Sequence, residues 1–207
     1  MTMNTTAMPG YRVYEYLVVL PLAEALRQKV MMVRKSFSDS YKTPMNWMSK
    51  PYIGLAKFKQ YAMMEDRLLN RLRTVTMGHH PFKVQLQNFG SFPSHTIYIG
   101  VANKGPVQEL VKSIRSEAQR LMKSSDSEKP YFMLEPTVTI ANKLKPWQYE
   151  QGWAEYSQKS FSGQCIADAV LVLKRPEGGL AWQIVERMEL KNMPVQVRQG
   201  DLWGMVA

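Results

Sequence analysis

The sequence predicts an α+β fold: two pseudo-symmetric lobes with antiparallel sheets, flanked by outer helices around a central cleft. Three observations carry this expectation. Stretches of period 2 and period 3.6 interleave without the regular strand-helix-strand cadence of a doubly wound parallel sheet. A motif begins at Pro51 (Pro-Tyr-Ile-Gly-Leu-Ala) and returns at Pro136 (Pro-Thr-Val-Thr-Ile-Ala). Finally, 207 residues with 45% hydrophobic content suffice for a real core shared by two intimate lobes.

The elements follow in order. Tyr14 to Leu20 (YEYLVVL) is a β-rich run closed by Pro21, a suitable first residue for a helix because its missing N–H would have no partner there. Leu22, Leu26, Val30, Val33 and Phe37 then recur at helical spacing, with Arg27, Lys29, Arg34 and Lys35 mostly on other faces. Ser38 to Lys50 is polar and turn-rich and leads into the first echo, Pro51 to Phe58. Met64, Leu68, Leu69 and Leu72 form a second helical stripe.

Phe82, Val84 and Leu86 alternate with polar residues as in a half-buried strand, which Gly90-Ser91-Phe92-Pro93 is expected to break before a hairpin partner, His95 to Val101. From Val107 to Met122 runs the cleanest amphipathic helix of the chain, ended by Ser124-Ser125-Asp126-Ser127. The second echo follows, and then a weak helix from Lys145-Pro146-Trp147 to about Tyr156. Cys165 to Lys174 and Ala181 to Leu190 read as a hairpin about the Pro176-Glu177-Gly178-Gly179 turn. The domain reading is a loose tail over 1–12, one bilobal domain over 13–192 and a C-terminal tail, free or packed, over 193–207.

In an extended strand alternate side chains share a face. Ile53 and Leu55, with Val138 and Ile140 as counterparts, are therefore expected in the core. Tyr52/Gly54 and Thr137/Thr139 face the other way and line a common surface if a pseudo-two-fold relates the strands. The formal charge of +10 includes about six net charges before Met64, an excess that attracts polyanions. The first residues carry no apolar leader core and no apolar run is long enough to span a bilayer, so no membrane role is expected. The single cysteine, Cys165, excludes an intramolecular disulfide framework and reads as a small buried residue. Together these features suggest a cytoplasmic protein.

The opening YLVVLPL strand feeding a helix, the FKVQLQNFGSFPSHTIYIGV hairpin, the long helix after it and PYFMLEPTVTIANKL occur in an order that resembles the two-histidine (2H) phosphoesterase superfamily, in particular the 2′-5′ RNA ligase-like proteins. The resemblance covers Tyr14 to Leu190. It implies a 2′-5′ RNA ligase/cyclic phosphodiesterase-like fold with one His-x-Thr/Ser motif per lobe. One histidine acts as general base and the other as general acid, the hydroxyl residues hold the phosphate, and no metal or cofactor is needed.

Carried over residue by residue, the first family histidine falls on Tyr52, its hydroxyl partner on Gly54 and the second histidine on Thr137, while Thr139 keeps the expected hydroxyl. An imidazole with a pKa of about 6.5 serves as acid or base near neutrality, whereas a phenol near 10 is a poor base and a threonine does not titrate. No motif position is therefore assigned a catalytic role. Tyr52, Thr137 and Thr139, with Lys57 and Lys143 just beyond the echoes, are the candidate ligand-binding residues for a phosphate-containing partner, a nucleotide or an RNA end.

This points to a catalytically degenerate member that binds such a ligand between its lobes. Two alternatives stand beside it: an active 2′,3′-cyclic phosphodiesterase or RNA ligase working with non-standard groups, and a scaffold for a protein partner. His79 and His80 precede Pro81 as a solvated loop, and His95 starts a hairpin strand away from either motif, so none is expected to be catalytic. No metal-ligand spacing, phosphate-binding glycine loop or nucleophile elbow is present. Asp168 reads as an outward-facing residue in mid-strand.

Overall fold

A computed structural model describes residues 9–43, 50–123 and 129–193. The first sheet has five strands in the order β5-β2-β1-β8-β9, formed by Tyr131–Phe132, Tyr52–Tyr61, Val13–Pro21, Ala169–Pro176 and Gln183–Glu189. The second has four in the order β6-β4-β3-β7, formed by Thr137–Ala141, Thr96–Val101, Phe82–Phe92 and Ser162–Ala167. Every pairing is antiparallel. Helices α2 (Glu65–Met77) and α3 (Lys104–Ala118) cover the first sheet, while α1 (Glu24–Tyr41) and α4 (Pro146–Tyr156) cover the second. The expected α+β fold of two lobes with outer helices is the fold observed.

The two halves of the chain exchange helices. The hairpin-like pair β1 and β2 lies in the first sheet while the helix between them, α1, packs on the second; β4 and β6 lie in the second sheet while α3, between them, packs on the first. In strand order, β2-β1-β8-β9 matches β6-β4-β3-β7, with β5 an added edge. Each crossover buries its apolar stripe against the opposite lobe. Leu26, Val30, Phe37 and Tyr41 of α1, and Val107, Leu110, Val111, Ile114 and Ala118 of α3, join strand residues in one continuous core. Burial removes roughly 25 cal/mol of unfavourable hydration per Å² of apolar surface, so a core continuous across the lobes opposes their separation.

Polar ties reinforce the joints. The buried Tyr16 hydroxyl donates to Glu65 Oε2 at 2.8 Å, and Lys174 Nζ donates to both oxygens of the same carboxylate, linking β1, α2 and β8. The amide nitrogen of buried Gln148 donates to the Tyr41 carbonyl at 2.8 Å and its oxygen accepts from the Lys145 N–H at 3.0 Å. One glutamine thereby closes the end of α1 and starts α4, with Pro146 in the first helical turn as its fixed φ favours. No helix among the described residues is long and apolar enough to cross a membrane.

Several boundaries differ from the sequence expectation. Pro21 ends β1, paired across from Tyr52, and does not start the helix; Leu22 and Ala23 form the link. The α1 helix continues through Ser38 to Tyr41 because Tyr41 extends the buried stripe, and Lys42 closes it in a left-handed conformation (φ 51°). Gly90 does not break β3: it pairs with Tyr98, whose ring lies where a Cβ would stand, so the glycine admits an aromatic neighbour.

Cys165 to Lys174 is not one strand. Ala167 pairs with Phe82 in the second sheet and Ala169 with Glu189 in the first, so Asp168 marks the passage from one lobe to the other and binds Arg187 at 3.0 Å instead of standing in mid-strand. Cys165 is half-buried against the core rather than fully buried. The helix stop at Ser124–Ser127 and the tail beyond Met193 lie outside the described residues.

Candidate functional site

The alternation read from the two echoes is present in the structure. Ile53, Leu55 and Val138 are fully buried and Ile140 nearly so, while Tyr52, Thr137 and Thr139 are half-buried on the opposite faces of their strands. β2 and β6 belong to different sheets but pack side by side where the sheets meet. The two motif strands are thus brought together at the junction of the lobes.

Tyr52 follows Pro51 into β2 and pairs with Pro21. Burial pushes its phenol above the ordinary tyrosine range, outweighing the opposite pull of the Arg34 and Arg175 charges. At neutral pH it is a protonated hydroxyl that donates hydrogen bonds and does not accept protons as a base. Thr137 and Thr139 pair with Gly100 and Tyr98 of β4, and their hydroxyls provide donors and acceptors but no titratable group.

Gly54 pairs with Val19 at a bulge that leaves Leu55 as the extra residue of β2. It is buried although it carries no side chain, because Met133 covers it: a Cβ built on Gly54 would overlap the Met133 sulfur. The Met133 N–H donates to the Leu55 carbonyl at 2.9 Å, which holds the segment after β5 beside the motif.

Arg34 lies at the centre of this junction. From α1 its Nε and Nη2 donate to the Thr139 carbonyl at 2.9 and 2.6 Å. This satisfies an acceptor on the outer edge of the second motif strand, while the guanidinium charge acts on Tyr52 of the first. Burial pulls the Arg34 pKa down and the charge of a Tyr52 phenolate would raise it, yet a guanidinium stays protonated across the accessible range. Sequence reasoning set Arg34 outside the apolar stripe. Its signal was available: Leu26, Val30 and Arg34 follow one another at i+4, a charged residue in register with the buried face.

The two lysines just beyond the echoes have different surroundings. Lys57 is exposed on β2 and lies 3.7 Å from Glu15 on β1, which also accepts from Arg175 of β8 at 2.6 and 2.9 Å. Burial raises the Glu15 pKa, but the Arg175 hydrogen bonds and charge, with Lys57 and Lys59, more than reverse this and leave it lowered. Arg175 also lies over the Trp182 ring, 4.5 Å from its centroid. Lys143 is exposed beyond β6 in a left-handed backbone conformation (φ 53°) and does not join the Arg34–Tyr52–Thr139 group.

None of the histidines joins it. His79 is half-buried on the α2–β3 loop, its pKa drawn down by that burial, with its carbonyl bound by the Asn192 N–H; His80 beside it is exposed. The "solvated loop" reading therefore fits His80 but only half of His79. His95 is exposed in the β3–β4 turn, its Nδ1 2.6 Å from the Thr96 hydroxyl. Among the described residues no three His, Cys, Asp or Glu side chains are grouped to hold a metal ion.

A frame of two equivalent motif strands that meet where two antiparallel sheets join has a counterpart in a known family: the model of the 2′-5′ RNA ligase superfamily matches residues 23–179. The chain belongs to the 2′-5′ RNA ligase superfamily. Its fold is that of other 2H phosphoesterases. E. coli LigT in complex with 3′-AMP superposes with a TM-score of 0.60 at 12% identity, covering 86% of this chain and 98% of that one. A phosphoesterase structure gives 0.62 at 14% identity, covering 87% and 98%. TT0787 of Thermus thermophilus gives 0.59 at 13%, covering 86% and 98%. No curated protein sequence matches the chain significantly. At such identities the structural likeness establishes the superfamily's architecture, and the chemistry must be argued from this chain's own side chains.

Proposed function

We propose that the chain is a catalytically degenerate 2H phosphoesterase whose inter-lobe cleft binds a phosphate-containing ligand, a nucleotide or an RNA end, without turning it over. The observation that carries this reading is the state of the first motif position: Tyr52 is a half-buried phenol held above its ordinary pKa, and Thr137, at the corresponding position of the second motif, cannot titrate. General acid-base catalysis needs a group whose pKa lies near the working pH, and losing one such group typically costs about 10²–10⁴-fold. With neither histidine position occupied by a titratable group near neutrality, transfer of a proton to or from a phosphoester oxygen has no agent here.

Binding keeps its agents. The Thr137 and Thr139 hydroxyls and the protonated Tyr52 phenol donate to phosphate oxygens, and the Arg34 charge, desolvated at the lobe junction, favours an anion beside them. Structures of E. coli LigT with 3′-AMP and with phosphate are consistent with a cleft of this architecture accepting such groups.

Titration of the ¹⁵N-labelled full chain with 2′,3′-cyclic AMP at millimolar concentration tests the reading. The expected result is a saturable shift of the amides around Tyr52 and Thr139 with the nucleotide recovered intact. Absence of any shift there overturns the binding claim. Steady hydrolysis that is lost in Tyr52→Phe overturns the claim of degeneracy.

A further inference from the structure

Gly54 carries no hydroxyl, and the space beside it is filled by Met133. The Met133 backbone is pinned beside Gly54 through its N–H to Leu55, and the strand pairings Ala56 with Phe132 and Lys57 with Tyr131 set its register. Its side chain turns onto Gly54, with Sδ occupying the place of a Cβ at that position and Cε 3.2 Å from it. Two atoms cannot share that space, so any residue other than glycine at 54 and this placement of Met133 exclude each other.

A thioether donates no hydrogen bond and accepts only weakly, so it offers a phosphate nothing in exchange for the hydroxyl whose place it takes. At the second motif both positions carry hydroxyl side chains. Thr137 and Thr139 remain half-exposed. The two halves of a pseudo-symmetric anion site are thereby made unequal.

We propose that Met133 is the specificity-determining residue of the cleft, a thioether plug that closes the first-motif half of the phosphate site and confines an anion to the Thr137/Thr139 half. The plug is displaceable, since methionine has three rotatable side-chain bonds and adapts to its surroundings. The inference rests on the phosphate reading of the cleft, but its first test needs no ligand.

The full chain, labelled at methionine methyl carbons, is compared as wild type, Gly54→Thr, Met133→Ala and the double variant, with the Met133 signal assigned by its loss in Met133→Ala. In Gly54→Thr the Met133 methyl resonance must move, because the new Cβ takes its place; an unmoved resonance overturns the inference whatever the ligand does.

Inorganic phosphate is the probe for the second arm. The double variant is expected to bind it about tenfold more tightly than wild type, the worth of one hydrogen bond to a charged partner, with the residue 54 amide joining the shifted set. Gly54→Thr alone is expected to gain less. Equal affinity in Gly54→Thr and the double variant shows that Met133 obstructs nothing and overturns the plug. Binding by the double variant but not by wild type supports the plug while overturning the phosphate reading of the natural cleft. Silence in all four overturns both.

Discussion

Arg34 joins the two motifs more directly than any motif residue does. Its two donors on the Thr139 carbonyl satisfy an acceptor of β6, and its charge is the larger of two cationic influences on Tyr52, ahead of Arg175. Truncation takes both of these donors from an acceptor at a half-buried site. Arg34→Ala is expected to lower unfolding stability by about 2 kcal/mol in urea denaturation, within the range for hydrogen bonds to charged groups. Arg34→Lys should recover only part of this, because an ammonium cannot present two donors in a fixed fork. A stability within about 0.5 kcal/mol of wild type for Arg34→Ala would show that the bond seen here contributes little.

The motif positions themselves were legible, since the alternation of Ile53/Leu55 against Tyr52/Gly54 needs only the two-residue period of a strand. Arg34 was legible only as a charge in register with the buried face of α1, without its partner, and Met133 was not legible at all. Arg34 reaches a backbone carbonyl distant in sequence, and Met133 enters the site only because β5 adds itself to the edge of β2, a pairing that two residues, Tyr131–Phe132, are too few to announce.

Helices and strands with a clean period were equally legible, and the misreadings have a common cause in tertiary pairing. The run Cys165 to Lys174 reads as one strand because both of its parts are apolar and extended, and only the partners, Phe82 on one side of Asp168 and Glu189 on the other, divide it between the sheets. Glycines illustrate the same dependence.

Gly105, in the first turn of α3, has open space where a Cβ would go. Gly152 in α4 would place one 2.8 Å from two atoms of the fully buried Phe37 ring and 3.4 Å from Ile97. Intrinsic helix propensity favours alanine at both by up to about 1 kcal/mol. Gly105→Ala is expected to stabilise by about 0.5 kcal/mol, and Gly152→Ala to destabilise by about 1–3 kcal/mol as overpacking between α1, α4 and the second sheet outweighs propensity. Chemical denaturation of the two variants checks this, and a gain in both would mean that the α1–α4 contact yields to an added methyl group.

The crossed topology makes each half of the chain dependent on the other lobe, so the frame that carries the two motif strands is held by the core and not by the groups at the motif positions. Helix α1 leaves the first sheet to cover the second and α3 does the reverse, so the strands that carry the motifs are held from behind by residues of both halves. A frame held this way is expected to tolerate changes of the groups at its motif positions; on the proposed degenerate reading Tyr52, Gly54 and Thr137 are such changes, and their reversal is expected to leave the fold intact.

A histidine at position 52 would inherit the burial and the neighbouring Arg34 charge that now act on Tyr52, both of which disfavour imidazolium and keep the ring neutral, as a general base requires. A hydroxyl at position 54, however, needs the space Met133 holds. Hydrolysis of 2′,3′-cyclic AMP is therefore expected to be near background in wild type and weak in Tyr52→His/Gly54→Thr/Thr137→His. It should rise at least about 10²-fold above background when Met133→Ala is added, the lower bound for restoring one general catalyst. Equal activity in the triple and quadruple variants would exonerate Met133. Silence in a folded quadruple variant would mean that the cleft has diverged beyond its motifs, so that the strands are matched in register but no longer spaced for a phosphoester between them.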